Sequence, residues 1–381
     1  MRIVHVVTHL RLGAGRAIVD LCTEQAKRGH TVLVALSTDA EGPWASDPAQ
    51  VAELERRGIV TQVVGDTFHR DTAGLGRAAD GLRALVGAWS PGDVAHAHTA
   101  VAGAVAHWSG APAIVVTCHG WNLERPAAYD LQDALAMSTA KAVISPSTDW
   151  AQRVAALPGV PHVYVIPNGF DLSRYPARTA ARAGSRDTRI ICVGEITMRK
   201  GQDLLVAAMP LVWEQCPGAT LDLAGDGDMA AELRALASRT DPTGQRIRLL
   251  GHVARPWDIL LSADVFCLPS RSDNQPVAIV EAMLAGLPIV STRVGGIPEM
   301  IEKANAGEVV DLDSPDAQTE ASVDTLAAAL VRAITRDDRV EMGAAVEAAA
   351  RREYGVETMV DRLEAIHADA CRTSPQVPYD G

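Results

Sequence analysis

The chain alternates between two periodicities, and this constrains its fold more than any other feature. Short apolar, β-branched runs at 2–8, 31–36, 59–64, 93–98, 113–118, 142–147 and 162–167 read as strands. Between them, apolar positions three and four apart predict helices near 15–28, 47–57, 72–89, 100–109, 126–139 and 148–156. Strands that alternate with helices are accommodated by a mostly parallel sheet wrapped on both faces. Residues 167–188, PNGFDLSRYPARTAARAGSRDT, break the rhythm with Pro, Gly and polar residues and read as a hinge. It then restarts, with strands at 189–194, 220–225, 246–251, 264–269 and 288–292, a last one ending near Val310, and helices near 200–215, 227–238, 255–262 and 276–285. Residues 322–369 are predicted to be helical throughout.

A chain of 381 residues exceeds the usual single core. The predicted class is α/β, with two Rossmann-like, doubly wound parallel-sheet domains facing a cleft. Their expected bounds are 1–168, a hinge at 169–188, and 189–354, with 355–381 forming a helix able to return across the hinge, plus a tail. Ligands of open parallel sheets bind outside the carboxyl ends of the strands, so the informative residues are those just after strands.

The formal net charge of −12 argues against a nucleic-acid partner, whose phosphates need clustered Lys and Arg. Residues 1–170 hold 13 Lys+Arg against 15 Asp+Glu, leaving 22 against 32 for the rest, which directs attention to Arg199 and Lys200 in the acidic half. The six cysteines are scattered without a C-x-x-C pair, which points to reduced thiols and a cytoplasmic setting. The opening MRIVHVVTHL lacks a small-residue cleavage site and reads as a first strand. Polar residues and Pro112 interrupt the longest apolar stretch, 100–118, so a membrane span is not expected.

After the first strand, Gly13, Ala14 and Gly15 open a helix, where bare backbone N–H groups can meet an anion or simply make a turn. The spacing fails G-x-G-x-x-G because position 18 is Ile18, which disfavours a nicotinamide dinucleotide. His119 follows another strand and suits work beside hydroxyls or a leaving phosphate. His96 and His98, two apart, point the same way and read as structural, and no carboxylate or Cys stands at ligand spacing to them, so no metal is expected. Arg199 and Lys200 precede Gly201 at a helix start, a pair able to grip a diphosphate. In PSRSDNQPVAIVEAMLAGLPIVSTRVGG, residues 269–296, Asp273 and Glu281 are separated by Asn274, Gln275, Pro276 and Val277 among others. Each carboxylate could accept two adjacent hydroxyls of a sugar.

These motifs, LGAGR (12–16), HG (119–120), PNGFD (167–171), RKG (199–201), DNQPVAIVEAMLAGLPIV (273–290) and GGIPEMI (295–301), run in order along nearly the whole chain. They closely resemble those of retaining glycosyltransferases of the GT-B fold, family four. The resemblance implies Glu281 on the nucleotide ribose, and Asp273 with the N–H groups of Asn274 to Val277 on the donor sugar. It implies Lys200, with Arg199, against the diphosphate, Gly13 to Gly15 closing over it, and His119 near the donor sugar. Transfer would be by same-face attack without a metal or other cofactor. Two departures stand out: Asp273 replaces the family's Glu, and Gly194 is followed by Glu195 where the family has Arg, so that Arg199 is expected to take the missing charge.

The expected activity is transfer of a sugar from a nucleotide-diphosphate donor to a hydroxyl of a small soluble acceptor, a cyclitol or secondary-metabolite core. Alternatives are a lipid-linked or cell-surface glycan acceptor, a nucleotide-sugar epimerase, and a non-catalytic nucleotide-sugar-binding protein. The soluble acceptor is favoured because the helix at 72–89 carries only Arg77 and Arg83, beside Asp80, whereas anionic membranes attract basic amphipathic helices. His9, Arg11, Arg16, Trp121 and Asn122 are the acceptor-side candidates.

Overall fold

The structure, a computed structural model, describes residues 1–37, 45–67, 70–120, 126–176, 188–313 and 319–372. The chain divides into two compact units, Met1–Asp171 together with Tyr354–Gly381, and Leu172–Glu353.

In the first unit, strands β1 (Arg2–Val7), β2 (Thr31–Ser37), β3 (Val60–Gly65), β4 (Val94–Ala97), β5 (Ile114–Thr117), β6 (Ala142–Ser145) and β7 (Val163–Val165) form one sheet ordered β3-β2-β1-β4-β5-β6-β7. The second unit holds β8 (Arg189–Val193), β9 (Thr220–Ala224), β10 (Ile247–Gly251), β11 (Val265–Leu268), β12 (Ile289–Thr292) and β13 (Gly307–Val310), ordered β10-β9-β8-β11-β12-β13. The pairings are parallel. Helices on both faces explain why β4, β5, β6, β11 and β12 are buried along their whole length and read as unbroken apolar runs. Each sheet reverses its order at one place, between β1 and β4 in the first unit and between β8 and β11 in the second. Loops leave that point in opposite directions and open a crevice.

Polar residues start the helices as their position requires: Thr99 accepts from the Ala102 amide (3.1 Å), Asp71 from Gly74 (2.7 Å) and Thr319 from Ser322 (3.2 Å). The predicted helical stretch 322–369 is three helices, Glu320–Thr335, Arg339–Glu353 and Val356–Arg372. The last packs Val356, Met359, Val360, Leu363 and Ile366 against Leu21, Val94, Val115 and Ile144 of the first unit. The PNGFD motif is where it docks. The Phe170 amide donates to the Tyr354 carbonyl (2.9 Å) and the Val356 amide to the Phe170 carbonyl (3.0 Å). A Cβ on Gly169 would stand 2.7 Å from the Gly355 carbonyl oxygen, so only glycine lets the two segments approach this closely.

Candidate functional site

In the second unit the site is built from the two loops that flank the switch point. After β8 the chain makes a short 3₁₀ turn, Met198–Lys200, and Gly201 then takes φ 70° before the helix Gln202–Gln215 begins. After β11 the loop carries Asp273 into the helix Val277–Leu284. The loops are tied by backbone and side chain: the Arg271 amide donates to the Arg199 carbonyl (2.7 Å) and the Arg271 guanidinium to the Met198 carbonyl (2.8 Å). Asp203 holds Arg271 by two bonds of 2.7 Å, a fork geometry that fixes both loops.

This scaffold brings three sequence-predicted residues together. Lys200 Nζ forms an ion pair with Asp273 Oδ2, which also accepts from Ser270 Oγ (3.2 Å) and lies 3.5 Å from Arg199 Nη1. Arg199 is about half exposed and donates to the Ser272 carbonyl (3.1 Å), while the Lys200 side chain is largely enclosed. Asn274, Gln275 and Pro276 are buried, and the Asn274 carbonyl accepts from Gly296 (2.9 Å), anchoring the loop to the one after β12. The N-cap residue of the helix that starts at Val277 is Pro276, which has no side-chain acceptor, so the first N–H groups of the helix can serve an anion. Gly194 directly follows β8, and the Glu195 carbonyl accepts from Gln202 Nε2 (2.9 Å).

Glu281 sits one turn into the same helix. Burial pushes its carboxyl up to about 7, against a smaller opposing effect from Tyr175, whose hydroxyl donates to Oε1 at 3.2 Å. Tyr175 in turn packs edge-on against Trp257, with ring centroids 5.2 Å apart. Sequence reasoning missed Tyr175, Ser270 and Arg271; no local pattern marks the first, and the other two lie inside the motif without a charge partner visible in sequence.

In the first unit, Gly13, Ala14 and Gly15 lie in the helix Leu12–Lys27, which starts at Leu12 rather than 15. Gly15 is buried, and a Cβ there would meet the Leu10 backbone at 2.7 Å, so its smallness serves helix-to-strand packing. Arg16 is engaged by Asp20 (2.8 Å) and Glu53 (2.6 Å). Arg11 is the N-cap residue of that helix and makes no side-chain capping bond. His9 is lowered from its ordinary value by burial and then by nearby Arg11. Trp121 and Asn122 lie outside the described residues. His119 Nε2 lies 3.1 Å from His98 Nδ1, and burial, helped by His9, lowers its pKa to about 4, so it is neutral at physiological pH. The structure thus links His119 to His98 and brings His5 of β1, a residue without a strong sequence signal, to 3.0 Å from His98.

Among the described residues no helix is long and apolar enough to cross a membrane. Residues 12–174 match the sequence model for Glycosyltransferase Family 4, and residues 187–328 that for Glycosyl transferases group 1. The GDP-mannose-dependent alpha-(1-6)-phosphatidylinositol monomannoside mannosyltransferase of Mycobacterium tuberculosis is 33% identical over 198 residues, 47% of this chain and 49% of that protein. The chain therefore spans about half the length of the curated mannosyltransferases it matches. Glycogen synthase of M. tuberculosis is 28% identical over 334 residues, 77% of this chain and 78% of that protein. Anabaena HepE, solved in complex with UDP, superposes with a TM-score of 0.76 at 19% identity, over 97% of this chain and 100% of that one. Sucrose-phosphate synthase from Thermosynechococcus elongatus gives 0.75 at 18% identity, over 97% and 99%. The fold is that of these two structures, and with one family model filling 12–174 and the other 187–328, the chain belongs to the group 1, family-four glycosyltransferases of the GT-B fold.

Proposed function

We propose that this protein transfers a glycosyl group from a nucleotide-diphosphate sugar to an acceptor hydroxyl, with retention of configuration and without a metal in the transfer step. The observation that carries the reading is the meeting of Arg199, Lys200 and Asp273 across the two loops at the switch point of the second sheet. A diphosphate entering there competes with Asp273 for Lys200, which frees the carboxylate to accept hydroxyls of the donor sugar. Lys200, Arg199 and the first N–H groups of the helix at Val277 neutralise the leaving diphosphate, while Glu281 takes the ribose diol. Asp273, once freed, is occupied with hydroxyls of the donor sugar, so it is not assigned the nucleophile's role; the departing phosphate takes the acceptor proton in a same-face attack. His119, neutral and able to donate or accept, is assigned to the donor sugar, with His9, Arg11 and Arg16 on the acceptor side.

The acceptor is assigned as a soluble polyol of the cyclitol type. On the helix Thr72–Val86, Arg83 pairs with Asp80 and also donates to the Trp108 carbonyl (2.6 Å), leaving no row of basic side chains for an anionic membrane. A second reading, a lipid-linked inositol acceptor, is favoured by the names of the mycobacterial relatives.

The test is a thermal-shift screen against UDP, GDP, ADP and TDP with and without EDTA, followed by turnover of the matching nucleotide sugar with a free cyclitol and with phosphatidylinositol vesicles. One nucleotide should raise Tm, insensitive to EDTA and lost in Glu281→Ala. Lys200→Ala should lose about 10²–10³-fold in kcat with little change in Tm, the usual effect of removing one charge-stabilising donor. Full activity in Lys200→Ala would sink the diphosphate assignment, and turnover confined to vesicles would replace the soluble acceptor by the lipid one.

A further inference from the structure

Strands β1 and β4 run side by side with His5 opposite His96 in the register. His98, two residues on, points to the same face of the sheet. The helix Val356–Arg372 covers that face and delivers His367. The rings form one layer: centroids lie 5.2 Å apart for His5 and His96, 4.7 Å for His96 and His98, and 5.1 Å, edge-on, for His96 and His367. All four are buried. Apolar packing gives no reason for four imidazoles in one place.

Their polar atoms are only partly satisfied. His5 Nε2 bonds Gln25 Oε1 at 2.8 Å; since an amide oxygen only accepts, the proton is on Nε2 and Nδ1 presents a lone pair. That lone pair lies 3.0 Å from His98 Nε2. His96 uses Nε2 on Thr117 Oγ1 (2.8 Å), and its Nδ1 has no hydrogen-bond partner among the described residues. Neither nitrogen of His367 has one. Buried donors and acceptors left in this state are normally satisfied by water or an ion. One nitrogen from each of His5, His96 and His98 lies within 4.8 Å of the others. A tetrahedral ion with metal–nitrogen bonds of about 2.0–2.1 Å needs its ligands about 3.3 Å apart, so the His5–His98 pair is already close to that spacing.

We propose that His5, His96 and His98 form a binding site for a first-row divalent transition metal of zinc's class, with His367 placed beside them to supply a fourth imidazole. An all-imidazole set suits zinc, copper or nickel and not magnesium or calcium. The expectation of no metal rested on missing carboxylates and cysteines near His96 and His98, whereas this set needs neither and recruits its third member from β1. The outer shell is in place: Gln25 holds His5, Thr117 holds His96, and His119 faces the other nitrogen of His98. A metal on His98 Nε2 leaves the His98 proton on Nδ1, so that Nδ1 donates to His119 Nε2 and sets that ring's orientation. The ion's work is structural: it pins the C-terminal helix to β1 and β4 and positions His119, and it takes no part in bond breaking. A small cavity bounded by His96, His98, His119, Thr117, Asn168 and Met359 adjoins the site.

The experiment uses the full chain without an affinity tag, stripped with EDTA and titrated with Co²⁺ under a visible spectrum, with Zn²⁺ as competitor and elemental analysis for stoichiometry. One ion per chain, an intense tetrahedral Co²⁺ band abolished by Zn²⁺, and a raised Tm are expected. His5→Gln and His98→Gln should each weaken binding at least about 100-fold and Thr117→Val about 10-fold, as loss of an inner and an outer partner does. His107→Gln, on an exposed side chain, should change nothing. Because the wild-type spectrum needs no variant to fold, absence of stoichiometric Co²⁺ and Zn²⁺ uptake by the stripped native protein overturns the proposal. Uptake that persists in the His5→Gln/His98→Gln double variant overturns it equally.

Discussion

At the scale of single residues, Glu281 carries the clearest titration in the second unit. A carboxyl raised from 4.5 to about 7 binds a proton in the folded chain that it has lost in the unfolded one throughout that window. Its contribution is therefore most favourable below pH 4.5, declines as pH rises to about 7, and is constant above, with a total of at most about 3 kcal/mol. Glu281→Gln should match the wild type in stability near pH 4.5 and exceed it at pH 7.5 and above, as read from melting curves across that range. On the proposed assignment ribose hydroxyls donate to the ionised form, so nucleotide binding should strengthen as pH climbs toward 7 and level off beyond it. Calorimetry on the Gln variant should show that rise removed; an unchanged rise would detach Glu281 from the ribose. The spacing of Asp273 and Glu281 within one loop and helix was legible in the sequence, because both residues belong to one continuous segment. Tyr175 was not, since it reaches Glu281 from 106 positions away and nothing local to either residue signals the contact. The same holds for the histidines: His96 and His98 show their shared direction by spacing alone, while His5 and His367 join them only through strand register and a helix from the far end of the chain.

At the scale of elements, the strands were legible and the turns between them much less so. A parallel strand buried on both faces is a short unbroken apolar run, and VFCL of β11 or AVIS of β6 has few other readings. Helix boundaries depend instead on backbone conformation, which composition conveys poorly. The helix expected from 200 begins at Gln202 because Gly201 first turns left-handed, and the stretch 322–369 breaks at Arg336 and again at Tyr354. That left-handed glycine is what aims Lys200. A Cβ at Gly201 would lie 2.0 Å from the Pro269 carbonyl oxygen, and φ 70° disfavours any L side chain by about 1–2 kcal/mol before the clash is counted. Gly201→Ala should thus displace the turn Met198–Lys200 from the loop after β11. The expected outcome is a loss of roughly 2–3 kcal/mol, or about 5–10 °C in the Tm of the second unit, together with a larger fall in nucleotide affinity. A variant with native affinity and native Tm would mean that the two loops hold their geometry without this turn.

At the scale of the whole molecule, the chain leaves the first unit at Asp171 and returns to it at Tyr354, after the entire second unit has been built. The pattern of 356–372 announces an amphipathic helix, but which surface its apolar stripe covers depends on the Gly169–Gly355 approach and on the matching stripe of Leu21, Val94, Val115 and Ile144. Val356, Met359, Val360 and Leu363 are each 6% exposed or less, and burying a side chain of this size contributes about 1.5–3 kcal/mol. Four of them add roughly 6–12 kcal/mol, the scale of a domain's whole net stability of about 5–15 kcal/mol. Truncation after Glu353 should accordingly unfold the first unit while leaving the second folded. Hydrogen exchange read by mass spectrometry would show protection lost in β1, β4 and β5 and kept in β8, β11 and β12. Leu363→Ala, a milder change, should cost about 2–5 kcal/mol and lower only the transition of the first unit. If β4 and β5 stayed protected in the truncated chain, the first sheet would be stable without its last helix, and the docking seen at Phe170 would be a cover laid over a finished core.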